Sequence, residues 1–401
     1  IRVVDLTHVL SGPLATYELA LLGAEVIKVE NPRSPDMYRR SGTDKALAAQ
    51  NMGTHYMGHG AGKRSLALDL KDKRGRAIFM KLVAGAQLLV ENFKPGVTQR
   101  LGIDYETCRA ANPGLVYCSV SGFGQTGPYR DRPALDQIIQ AAAGIMSITG
   151  PREGPNVRVG YASADTTTGL VAGIAALGAL IGSLRTGRGC HLDVAMLDAN
   201  VMSQGPVFSD YLNTGHVAQR VGAEGLQKRG AGGTFATADG KELVISTISF
   251  QQFERLCEVI GRPEVAQDPR FSDEAAQTEN RQSREALKCI LADAFITDTA
   301  ASWEARLLEA SIPVGPINRI PEVAAHPQLA HRRAFTEFRD VPGVGRPYYV
   351  QNAGFLLDGK PLAATKPPPR LGADTVSVLN ELGLPSSEIE ELIRAGICAT
   401  P

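Results

Sequence analysis

Short apolar runs separated by amphipathic stretches set the pattern of this chain. Arg2–Thr7, Glu25–Glu30 and Leu88–Glu91 gather Val, Ile and Leu over four to six residues, which predicts strands. Leu115–Ser121 and His191–Ala195 read the same way, with Ser65–Leu70 as a short extended piece. Pro13–Leu22, Lys73–Gly85 and Tyr105–Ala111 fall between them and predict helices, the first ended by Gly23-Ala24. This βαβ alternation predicts a parallel sheet with helices on its faces. Residues 31–62, rich in Gly, Pro, His and Met, are expected to form a loop region with at most a short helix. Leu135–Ile148 and Leu197–Leu212 predict two further helices.

The pattern changes near residues 213–233, where glycines gather and apolar residues thin out. A linker is expected there. Thr234–Ser246 then reads as a hairpin around Ala238-Asp239-Gly240. Helices near 250–260, 281–295 and 299–310 complete a smaller α+β domain, and two amphipathic helices, 373–382 and 386–395, close the chain.

One stretch concentrates the chemistry. Gly160-Tyr-Ala-Ser-Ala-Asp165-Thr-Thr-Thr-Gly169 precedes an apolar run, Leu170–Leu184. That run has 15 residues, short of the roughly 18–20 that span a bilayer, so it predicts a buried core helix. Asp165 before Thr-Thr-Thr-Gly-Leu reads as a helix N-cap. A helix N-terminus also suits a reactive carboxylate that must stay ionised, so both readings stand.

Composition narrows the classes. The chain has 401 residues, 43% hydrophobic, with 42 basic and 42 acidic side chains. Two or three domains are expected. A net charge of zero gives no footprint for nucleic acid or an anionic membrane. Six scattered cysteines with no C-x-x-C pair read as reduced thiols in a cytoplasmic protein. Residues 1–30 carry charges throughout, so no signal peptide is expected.

Several motifs nearly match known sites. Gly122-Phe-Gly-Gln-Thr-Gly127 fits G-x-G-x-x-G, but Pro128 follows at once and no helix opens, so a turn is expected rather than a dinucleotide loop. Gly58-His-Gly-Ala-Gly62-Lys63-Arg64 is one residue short of a P-loop and puts Arg64 where Ser or Thr should hold magnesium. His55 and His59 stand four apart, as metal ligands on a helix would, yet no third ligand lies between them and Gly58 weakens a helix there. A loop or core pair is expected, and no metal site.

Taken together, several stretches resemble the class III CoA-transferases, the family of formyl-CoA and carnitine CoA-transferases. They are Asp5-Leu-Thr-His8 with Ser11-Gly-Pro13, Leu22-Gly-Ala-Glu-Val-Ile-Lys-Val-Glu30, and Lys63-Arg-Ser-Leu-Ala-Leu-Asp-Leu-Lys71. Val90-Glu-Asn-Phe-Lys-Pro-Gly96, Ser121–Pro128, Asp165–Gly169, Thr186–Gly189 and Pro369–Gly372 follow in order. The resemblance implies an α/β fold. A Rossmann-like large domain would comprise residues 1–212 plus 326–401, with a small α+β domain at 225–325, a linker at 213–224 and an interlocked homodimer.

It also implies a mechanism: Asp165 as the catalytic nucleophile, carrying acyl groups and CoA in turn, with a CoA thioester as substrate and no permanently bound cofactor. Positions matching the family's CoA contacts are Leu10, Ser11, Leu68 to Lys71, Asn92, Phe93, Lys94, Arg100 and Arg132. His8, Asp136 and a glycine lid at Gly230, Gly232 and Gly233 would line the active site. Each has a plainer reading: Lys71 and Arg100 as solvated charges, Asp136 as a helix-start residue, the glycines as a linker turn. Leu10 stands where formyl-CoA transferase has a glutamine, so formyl or oxalyl specificity is not carried over. The leading expectation is CoA transfer from an acyl-CoA, with succinyl-CoA as a candidate donor, to a small organic acid. The alternatives are an α-methylacyl-CoA racemase, whose Gly-His-Asp is here Ala134-Leu135-Asp136, and a non-catalytic acyl-CoA binder.

Overall fold

The computed structural model describes residues 1–222, 231–273, 277 and 280–401. Six strands, β1 (Arg2–Asp5), β2 (Glu25–Glu30), β3 (Arg64–Leu68), β4 (Leu88–Glu91), β5 (Val116–Ser121) and β6 (His191–Ala195), form a parallel sheet. Their order is β3-β2-β1-β4-β5-β6, and Cys398–Ala399 adds an antiparallel strand beyond β3.

Side chains alternate between the two faces, as the pleat requires. Val4, Ile27, Leu66, Leu89 and Tyr117 face one core, shared with Phe79 and Leu82 of the Lys73–Ala84 helix. Val3, Val26, Leu88, Val90 and Val116 face the other, shared with Leu19 of the Ser11–Leu21 helix and Ala172 and Ala176 of the Ser163–Thr186 helix. Helices therefore cover both faces, which is why the strands read as nearly continuous apolar runs. The strand order reverses between β1 and β4, and the crevice outside their carboxyl ends is where such sheets place ligands.

The chain divides into two compact units. The first comprises residues 1–145, 159–216 and 327–401, and the second 146–158 and 217–326. The second holds an antiparallel sheet of β7 (Gly233–Ala236), β8 (Glu242–Ile245) and β9 (Val314–Pro316). Its own core includes Phe253, Leu256, Leu287, Leu291, Trp303 and Leu307.

Four expectations need correction. Residues 31–62 hold three helical segments, Met37–Arg40, Lys45–Ala49 and Thr54–Gly60. Asp36 and Asp44 cap the first two with their side chains, a signal that the glycines and prolines obscured. His55 and His59 therefore do lie on a helix. His59 is half-buried, edge-on to Tyr17, and desolvation lowers its pKa to about 4, so its ring is neutral. The expected helices 135–148 and 197–212 each break in two, at Ala143-Gly144 and at Ser203-Gln204; Gly144 takes a φ of +83°.

The largest correction concerns the helix behind Asp165. It runs for 24 residues, Ser163–Thr186, and only about a third of its apolar stretch is buried. The small residues Gly169, Ala172, Gly173 and Ala176 pack inward, while Leu170, Ile174, Leu177, Ile181 and Leu184 are exposed.

Beneath β1 to β3 lies a buried ionic network. Asp5 accepts from Lys63 Nζ at 2.9 Å, Thr16 Oγ1 at 2.7 Å and Thr7 N at 2.8 Å. Burial opposes ionisation of Asp5, but Lys63, Lys28 and the two threonine hydroxyls outweigh it and hold the carboxyl far below its usual range. Glu30 and Arg39 form a two-pronged pair at 2.7 and 2.6 Å, with Arg39 stacked on Tyr56 at 3.7 Å. These charges are fully buried, and removing one partner of such a pair costs about 3–5 kcal/mol. Asp5, Lys28, Glu30 and Lys63 thus set the positions of the β1 and β2 carboxyl ends.

Candidate active site

The turns leaving β1 and β4 meet at the switch point. Asn92 accepts from His8 N and donates to His8 O, both at 2.8 Å. Val9 follows with a φ of +71°, a left-handed conformation that a β-branched residue adopts only under constraint, at a cost of about 1–3 kcal/mol. Its N–H is held by Asp36 Oδ1 at 3.0 Å. Glu91 accepts from Phe93 N at 2.9 Å and fixes the second turn; burial pushes its pKa up to about 7.

Two clefts open from these turns, and Phe93 lines both. The larger, about 450 Å³, is walled by Leu6, Val29, Leu68 and Leu101 and carries His8, Lys71 and Arg100 among its polar groups. The smaller, about 210 Å³, is lined by Ser11, Asn92, Lys94, Arg132 and Asp165 together with Val9, Arg130 and Met196. The candidate residues therefore divide. His8, Leu68, Lys71 and Arg100 belong to the first cleft, and Ser11, Asn92, Lys94, Arg132 and Asp165 to the second. Leu10 lines neither and caps the Ser11–Leu21 helix without a side-chain bond. Burial, and then the charge of Lys28, lower the pKa of His8.

Asp165 is not the N-cap. The helix begins at Ser163, so Asp165 is its third residue, and Ala162 at the cap offers no side chain to the first turn. Asp136 supplies that function from another helix, Asp136–Ala142. Its Oδ1 accepts from Ala164 N at 2.9 Å and Asp165 N at 3.2 Å, and its Oδ2 from Gln140 Nε2 at 2.6 Å. Gln140, itself fully buried, accepts from Val159 N at 2.9 Å and ties the approach to the helix. Asp136 therefore satisfies the orphan N–H groups of the helix, and the Asp165 carboxylate is left for the cleft.

Burial, and then the charge of Asp136, push the Asp165 carboxyl from 3.8 up to about 6, with a hydrogen bond from Ser11 acting the other way. At neutral pH the group is ionised yet poorly stabilised, and a reaction that neutralises it is favoured. No group of three or more His, Cys, Asp or Glu placed to hold a metal occurs among the described residues. Gly230 lies outside the described residues. Gly232 and Gly233 belong to the second unit, where Gly233 opens β7 and lines a cleft with Pro151, Arg152 and Lys288. Sequence reasoning missed Arg130, Gln140 and Val9. Arg130 sits in the turn between Gly127-Pro128 and Pro133, where only the spacing of prolines marks a folded loop, and Gln140 carries no local signal.

The family described as CoA-transferase family III matches residues 1–375. The chain is 37% identical to a succinate–glutarate CoA-transferase of Agrobacterium fabrum, covering 95% of this chain and 94% of the relative. It is 39% identical to an acetyl-CoA:oxalate CoA-transferase of Acetobacter aceti, covering 87% of each. Among solved structures, a CAIB/BAIF family protein from Brucella suis superposes with a TM-score of 0.83 at 32% identity, over 95% of this chain and 98% of that one.

Proposed function

The chain belongs to CoA-transferase family III and is an acyl-CoA:carboxylate CoA-transferase; on that premise we propose that Asp165 carries the reaction as a covalent nucleophile. The observation that supports this is the division of labour at the helix N-terminus. Asp136 caps the backbone, and Asp165 is held in the smaller cleft with a raised pKa.

An Asp165 oxygen attacks the thioester carbonyl, the C–S bond breaks, and a mixed anhydride and CoA thiolate result. The thiolate then attacks the Asp165 carbonyl carbon and displaces the donor acid, leaving an aspartyl-CoA thioester. The acceptor carboxylate attacks that thioester, re-forming an anhydride and the thiolate, which takes the acceptor acyl group and frees Asp165. No proton or water is consumed, and exclusion of water protects the anhydride. Each acylation relieves a buried charge beside Asp136.

CoA would enter the larger cleft, where Lys71 and Arg100 would meet its phosphates. Phe93, common to both clefts, would guide the pantetheine arm toward Asp165. The relatives named above act on short dicarboxylates, and the small size of the Asp165 cleft suits acids of that class, with succinyl-CoA as donor. No histidine lines that cleft among the described residues, so nothing favours an epimerase with a histidine base. The exposed face of the Ser163–Thr186 helix, with Leu170, Ile174, Leu177, Ile181 and Leu184, supports a homodimer in which a second chain covers it. Six free cysteines fit a cytoplasmic setting.

Intact-mass measurement after mixing with succinyl-CoA, acetyl-CoA or a branched acyl-CoA tests the nucleophile. A CoA-sized or acyl-sized adduct is expected, absent from Asp165→Ala. An adduct that persists in that variant removes Asp165 from the mechanism.

A further inference from the structure

The smaller cleft holds a second unexplained group. Arg130 lines it, half-buried, and its Nε is fully buried with no hydrogen-bond partner. A buried guanidinium N–H left without a partner is costly. The other two cations of the cleft are accounted for differently. Lys94 is exposed, and Arg132 is exposed with its guanidinium laid over the Tyr129 ring at 3.5 Å. Among the described residues, the only acid lining the cleft is Asp165.

Arg130 has a neighbour of like charge. A Cβ built on Gly96 would lie 3.8 Å from Arg130 Nη2 and 3.3 Å from Arg100 Nη1, so both guanidinium groups rest against the same backbone. They serve different spaces, since Arg100 lines the larger cleft and Arg130 the smaller. Two cations so placed call for two anionic groups. A guanidinium fork matches a carboxylate in two-pronged fashion. The cleft, about 210 Å³, is below the roughly 300–1,000 Å³ of sites for larger ligands. The carboxyl carbons of extended four- and five-carbon diacids are separated by about 4 and 5 Å from standard bond lengths.

The geometry points to Arg130 as the residue that selects dicarboxylates, holding the far carboxylate of an acid whose near carboxyl reacts at Asp165. This rests on the nucleophile reading above and extends it to the choice of substrate.

The test compares Arg130→Met and Arg130→Lys with the parent, using succinyl-CoA against butyryl-CoA as donors and glutarate against pentanoate as acceptors. In Arg130→Met the ratio of kcat/KM for diacid over monoacid falls about 100-fold, the scale of truncating one member of a desolvated charge pair. Arg130→Lys, which keeps the charge and loses the fork, falls between. If Arg130 instead holds a CoA phosphate, succinyl-CoA and butyryl-CoA weaken alike and the ratio stays put, which overturns the proposal. A second arm separates this from the nucleophile reading. Calorimetric binding of glutarate and pentanoate to Asp165→Ala, with and without Arg130→Met, needs no chemistry. A glutarate preference that depends on Arg130 supports the site even if no adduct forms at Asp165, and its absence overturns the site even if the adduct does form.

Discussion

Asp165 should destabilise the protein that it serves. Its carboxyl is moved from 3.8 to about 6 by burial and by Asp136, so the folded chain prefers the protonated form. Between pH 3.8 and about 6 the folded state keeps a proton that the unfolded chain has released. Stability therefore falls as pH rises through that window and stays lower above it. The full displacement corresponds to about 3 kcal/mol, and the partial exposure of the side chain reduces this to about 2 kcal/mol. Asp165→Asn keeps the shape and removes the charge. Its melting temperature should exceed the parent's by about 4 °C at pH 7.5, taking about 2 °C per kcal/mol for a unit of this size. The gap should close as pH falls to 4. Paired thermal melts across that range measure it. A gap equal at both ends, or a parent more stable at pH 7.5, would falsify the account of Asp165 as a strained, charged nucleophile.

Two further predictions address its surroundings. Asp136→Asn keeps an acceptor for Ala164 N and Asp165 N but removes the charge, so the acidic limb of kcat/KM should move below about pH 6. It should move only part of the way to 3.8, because burial is the larger cause; a limb that does not move in a pH–rate profile removes Asp136 from the electrostatics. Ile174→Lys with Ile181→Lys places charges on the exposed apolar face. Light scattering should show the parent at twice the 42.7 kDa chain mass and the variant at the single mass; a monomeric parent, or one that partitions into vesicles, refutes the homodimer.

The sheet was legible because strands buried on both faces leave unbroken apolar runs. Glu25–Glu30 and Leu88–Glu91 fall where those runs predict them. Residues 31–62 were not legible, because their helices are short and depend on Asp36 and Asp44 as caps and on packing against Val341 and Tyr348 from late in the chain. The local cap reading of Asp165 was only partly right. The cap pattern is present, yet the cap comes from Asp136, 29 residues earlier, and no local rule could supply it. The exposed helix face was readable in hindsight. Leu170, Ile174, Leu177, Ile181 and Leu184 recur at alternating four- and three-residue steps, the stripe of a helix that meets another surface. Treating the run as uniformly apolar hid the sidedness.

The antiparallel strand Cys398–Ala399 has a consequence for synthesis. It pairs with β3 across some 330 residues, Cys398 opposite Leu68. As the chain leaves the ribosome, the β3 edge must wait with its N–H and C=O groups unpaired until Asp374, Thr375 and then Cys398–Ala399 emerge. Most of the second unit, the continuous stretch 217–326, can close on itself first. Disrupting the Cys398–Ala399 strand would remove no part of either cleft, yet it would leave an open β-edge on the folded protein, and such molecules should reveal themselves by self-association before any loss of catalysis.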